Sequence, residues 1–257
     1  MEDNLEWHSV SDDHIAALFA EERQLQFPSS LMSLSMLVRR SEVLAVVQET
    51  LAYLRLPADD VFLAAQVLDS VGLWFESDMR VQVVSAMAAL YMCIKLRSDP
   101  LEPDHCDLLC QLAERANQFF EHSTDWRKVV REEVIQQEMD LLDSLHYFLP
   151  TSHIGTWIEF FRLRTDVLTR ESQTPLLRFA ADLAKDLSRS LVCQINISKD
   201  NSPSAIAFNA WCLACVLSCA MTSVWDTFIH WTRVLQWTSR GAVQIGGSRR
   251  SQFTSRV

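Results

Sequence analysis

From Val81 to Leu96 the chain carries a single charge, Lys95, and from Asn201 to Trp225 it carries none. A helix that is apolar all round has no face to offer water, so other parts of the chain have to enclose each of these segments. Turn residues are scarce: only Gly72 and Gly155 precede position 241, and the prolines fall between apolar blocks. With helix-period patterning between the breakers, the chain reads as all-α, built around two central helices. Its 257 residues, 49% of them hydrophobic, suffice for one large domain or two of about a hundred residues each.

Breakers divide the chain into helical segments. Ser11 and Asp12 open a first helix to Gln24, Ser41 a second closed by Pro57, and Asp59 and Asp60 a third. Asp78 precedes the apolar helix 79–96, and Asp99-Pro100 ends it. Segments 106–120 and 126–148 follow, the latter stopped by Pro150. The pattern then restarts with helices over 154–168, 175–192, 203–222 and 225–237, so the two most apolar helices hold corresponding places in two successive arrays.

The uncharged stretch after Asn201 is long enough to span a bilayer, but Asn209, several Ser and Thr, and many Ala favour a buried core helix. Cys212, Cys215 and Cys219 on that helix, and Cys106 and Cys110 on another, lack the paired spacing of a zinc site and read as small buried packing thiols. No metal or cofactor is expected. The net charge of −10 argues against a nucleic-acid-binding surface. The acidic start, MEDNLEWHSVSDD, does not resemble a secretory signal, which sets the expectation of a nuclear or cytoplasmic protein with reduced cysteines. The tail after Arg240 reads as disordered.

No phosphate loop, zinc-protease motif, nucleophile elbow or paired-carboxylate site is present, so a non-catalytic interaction protein is the default. Four charged residues sharpen this: Arg40, Asp69, Lys95 and Glu138, in that order. Together they resemble the cyclin box, in which an arginine near the start of helix one, an aspartate near the end of helix two, a lysine ending the central helix and a glutamate in helix five recur. RSEVLAVVQETLAYLRLPADDVFLAAQVLDS, 40–70, follows that pattern without a gap. EMDLLDSLHYFLP, 138–150, resembles the end of the box, and PSAIAFNAWCLAC, 203–215, resembles the central helix of a second. The double arginine of LVRRSEVL, the long segment between Lys95 and Glu138, and Trp225 are most similar to the cyclin J subfamily.

The resemblance implies a lead with one helix (1–37), a first cyclin box (38–149) that binds a kinase, a second and shorter box (150–239), and the tail 240–257. It implies a regulatory subunit that binds and activates a cyclin-dependent serine/threonine kinase in cell-cycle control, as a heterodimer with that kinase. Lys95 and Glu138 would meet the kinase, with Met92, Leu96, Leu142, Tyr147 and Leu149 as apolar contacts, while Arg40 and Asp69 would form an internal ion pair. Where many cyclins carry an apolar substrate-docking patch, this chain has Arg39, Glu42, Val43, Val46 and Glu49, a degenerate version. Arg97 stands where many cyclins are acidic. These departures keep open a cyclin-fold scaffold that binds protein without activating a kinase; nucleic-acid binding and membrane insertion are not expected.

Overall fold

The computed structural model describes residues 12–24, 32–75, 78–97, 105–121, 127–149, 152–169, 175–194, 197 and 201–222. Among these there is no strand, and the helices are α1 (Asp12–Gln24), α2 (Leu34–Tyr53), α3 (Asp60–Ser70), α4 (Met79–Arg97), α5 (His105–Phe120), α6 (Arg131–Ser144), α7 (Ile154–Thr169), α8 (Pro175–Gln194) and α9 (Pro203–Thr222). The helix expected over 225–237 and the tail lie outside the described residues, as does Trp225.

Two helix starts differ from the sequence reading. α2 begins at Leu34 rather than Ser41, because Ser33 is extended and its Oγ accepts from Met36 N at 3.3 Å, a side-chain cap upstream of Ser41. Arg40 therefore sits two turns inside the helix. α6 begins at Arg131 rather than 126: Asn117 of α5 binds both backbone groups of Val129, at 3.0 Å to its carbonyl and 2.8 Å from its N–H, which removes Val129 from helical pairing.

Both α2 and α6 stop in Schellman turns. Arg55 (φ 56°) and His146 (φ 51°) take the left-handed position, and Leu56 N bonds back to Leu51 O at 2.9 Å as Tyr147 N does to Leu142 O at 2.8 Å. The second turn ends α6 at Ser144, four residues short of the expected end.

Enclosure of the first apolar helix is complete. Every residue of α4 from Gln82 to Ile94 is buried, with α2, α3, α5 and α6 packed around it. α4 is also long and apolar enough to cross a membrane, but its burial inside the protein accounts for that composition. α9 is covered on one side by α7 and α8, where Ala207, Ala210, Trp211 and Ala214 are buried. Its Leu213, Val216 and Leu217 are exposed, so only part of its apolar surface is enclosed by the described residues.

The two arrays share contacts. Glu21 and Glu22 of α1 accept from Ser152 N and Ser204 Oγ, each at 2.8 Å, and Phe19 packs on Trp157 at 4.8 Å. Gln66 of α3 donates to Ser152 O at 3.1 Å. Asp59, ahead of α3, pairs with Lys185 (3.1 Å) and Arg189 (2.8 Å) of α8, and Lys185 also reaches Glu159 of α7 at 2.9 Å.

At the start of the second array the space at Gly155 is tight: a Cβ there would lie 3.0 Å from His153 Cε1 and 3.3 Å from Phe62, so these side chains would have to shift. The His153 ring stacks on Phe62, its Nδ1 accepts from Gly155 N at 3.1 Å, and burial holds its pKa down at about 4. An unfolded histidine titrates near 6.5, so between about pH 6.5 and 4 the unfolded chain binds a proton that the folded chain refuses, and stability falls as pH falls. His153→Asn, whose Oδ1 can take the place of Nδ1 as the Gly155 acceptor, should flatten the pH dependence of the urea midpoint in that window, removing up to about 3 kcal/mol of variation. Equal slopes for wild type and variant would contradict a desolvated neutral imidazole.

Candidate partner-binding surface

Arg40 of α2 and Asp69 of α3 meet in a two-pronged ion pair, Nε to Oδ1 and Nη2 to Oδ2 both at 2.9 Å, with both side chains fully buried. The carboxylate also accepts from Trp74 Nε1 at 2.5 Å and from Ile197 N at 2.6 Å. Gly72 (φ 68°) turns the chain after α3 into the short 3-10 turn Leu73–Phe75, which brings Trp74 back to Asp69. Arg40 Nη1 donates to Val192 O in the last turn of α8, satisfying a carbonyl that has no partner within its own helix. This node fixes α2 and α3 against the second array and lies wholly inside the molecule.

The second pair is at the surface. Lys95, in the last turn of α4, reaches Glu138 of α6 at 2.6 Å and lies 4.8 Å above the Tyr91 ring one turn back. Their exposures are unequal: the lysine side chain is 44% exposed and the glutamate 6%. Glu138 belongs to the buried stripe of α6 with Val134 and Leu141, so helix packing delivers the carboxylate from below while the cation stays at the rim. A lysine also suits the negative end of the α4 dipole. Burial raises the Tyr91 phenol above its ordinary pKa, with Lys95 pulling the other way and Glu138 adding to the rise.

Several apolar residues of α4, of α6 and of the segment after α6 stay at least partly accessible. Leu96 is exposed at the end of α4, Tyr147 and Phe148 are exposed beyond α6, and Leu142 and Leu149 are half-buried. Met92, grouped with the contact residues in the sequence reading, is buried in the core instead, since α4 is enclosed there on every side. The sequence reading missed Ile135 and Met139. Both are exposed and one turn apart, and with Leu142 they form a stripe flanking Glu138. The available signal was two apolar residues lying off the Val134–Leu141 stripe in an otherwise polar helix.

The expected docking patch is divided. Arg39, Glu42 and Glu49 are exposed, Glu49 lying 3.8 Å from Arg115, while Val43 and Val46 face the core and contribute nothing to the surface. The cysteines need correction as well. Cys215 is buried and Cys212 half-buried, with burial pushing the Cys212 thiol up to about 11, but Cys106 and Cys110 are exposed. α5 buries Leu109, Leu112, Ala113 and Ala116, which leaves both thiols on its flank. The described residues contain no group of three or more His, Cys, Asp or Glu able to hold a metal. The side chains of Arg97 and Cys219 lie outside what the structure describes.

Neither a scan against models of protein families nor a search of curated proteins finds a match to this chain.

Arg40→Met should cost about 3–5 kcal/mol in urea unfolding, because it leaves Asp69 charged and buried without its cation. A loss below about 1 kcal/mol, the range of an exposed pair, would show that the node does not hold the fold.

Proposed function

We propose that the chain is a cyclin-like regulatory subunit that binds and activates a cyclin-dependent serine/threonine kinase in cell-cycle control, in the nucleus or cytoplasm. In this reading α2 to α6 are the first cyclin box and α7 onward the second. The observation that carries it is the Lys95–Glu138 pair, a half-exposed cation on a buried carboxylate, with exposed Leu96 next to the lysine and exposed Ile135 and Met139 flanking the glutamate on α6. An ammonium group has three donors, so with Glu138 engaged by one, donors remain for main-chain carbonyls of a partner. The flexible stem lets the charge follow a helix end as it moves. Apolar anchors around a central polar pair are the arrangement that dominates interface energies.

Activation would be allosteric. A regulatory subunit that binds the kinase's C-helix better in its inward position draws the kinase toward the state in which its catalytic lysine–glutamate ion pair forms. Moving a kinase from almost wholly inactive to almost wholly active takes about 5.5 kcal/mol of differential binding. No residue of this chain would touch the transferred phosphate. The charged α2 surface, with Val43 and Val46 in the core, favours a second reading in which the same fold binds protein without activating a kinase.

Pull-down from lysate with wild-type chain and Lys95→Ala/Glu138→Ala, probed for cyclin-dependent kinases and for histone phosphorylation, separates these readings. The activator reading predicts kinase and activity with wild type and their loss with the double variant, at unchanged helical circular dichroism. Kinase recovered equally by both would exclude this surface as the contact, and kinase recovered without activity would favour the scaffold.

A further inference from the structure

Cys106 and Cys110 are exposed near the start of α5, one turn apart on the same flank. Helix neighbours at i and i+4 have Cβ atoms about 5–6 Å apart, close to the roughly 3.5–4.5 Å of a disulfide. Cys106 lies in the first turn, whose N–H groups have no intrahelical acceptor, so that turn can open to close the remaining gap.

The other described cysteines are poorly placed for exchange. Cys93 and Cys215 are buried, Cys193 and Cys212 are half-buried, and burial raises the thiol pKa of both half-buried residues. A thiol held protonated is a poor nucleophile, and a buried one is inaccessible.

We propose that Cys106 and Cys110 form an exchangeable dithiol that takes up small-molecule disulfides of the glutathione class. One cysteine thiolate attacks the disulfide, forming a mixed disulfide and releasing one small thiolate, which takes up a proton. The neighbouring cysteine loses its proton and attacks the protein sulfur of the mixed disulfide, expelling the second small thiolate, which takes up that proton. The protein gives up two electrons and two protons and gains a Cys106–Cys110 bond; the small disulfide becomes two thiols. Closure opens the first turn of α5. This chemistry is independent of what the Lys95 surface binds.

Equilibrating the full chain across stepped ratios of reduced to oxidised glutathione, alkylating the remaining thiols and mapping peptides by mass tests it. A Cys106–Cys110 disulfide should form at a ratio about tenfold more reducing than the one that first modifies any other described cysteine. Cys110→Ser should stop at a glutathione adduct on Cys106, and Cys106→Ser at one on Cys110. Both residues remaining thiols while Cys193 or Cys212 is modified, or separate adducts without an internal bond in the wild type, would overturn the proposal.

Discussion

One carboxylate, Asp69, fixes more of this molecule than any apolar contact does. It is fully buried, so each lone pair left without a donor would carry a desolvation penalty, and the fold supplies donors from three places: Arg40 on α2, Trp74 after α3 and the backbone of Ile197. Arg40 spends a further donor on Val192 O of α8. Taking two charges out of water offsets much of their mutual attraction, so what the node supplies is position rather than a large net gain in stability. In the arrangement that α2, α3 and the end of α8 adopt, all five bonds are made at once.

From that fixed point the surface is built by packing. α4 is held on every side, and the start of α6 is stapled by Arg80, which bonds Glu133 and the carbonyl of Arg127, and by Asn117 on Val129. With both helices set, Glu138 arrives beneath Lys95, and the exposed stripe of Ile135 and Met139 lies beside them. The internal node tolerates no solvent, whereas the surface pair leaves its cation available.

Much of the helical layout was legible in the sequence because uncharged runs and scarce turn residues leave few alternatives. The limits of α4 and the start of α9 follow from breakers that lie next to the chain they stop, whereas α2 ends at Tyr53, ahead of Pro57, in a turn at Arg55. The starts of α2 and α6 were not legible. Ser33 and Ser41 are both competent caps, and choosing between them needs the packing of Leu34–Tyr53 as one helix; Asn117 takes Val129 out of α6 from a different segment. For the site, resemblance to the cyclin box, not periodicity, singled out Arg40, Asp69, Lys95 and Glu138, and burial along α4 and α5 depends on neighbours that periodicity does not identify. That is why Met92 lies in the core, and why Cys106 and Cys110 lie on the surface.

The functional account stands on the claim that a kinase sits on the Lys95–Glu138 surface. Amide hydrogen exchange of the full chain with and without an added cyclin-dependent kinase addresses it directly. The account predicts slowed exchange in α6 around residues 135–142 and at the end of α4, with α9 unchanged. A footprint confined to α9, or none at saturating kinase, would contradict it.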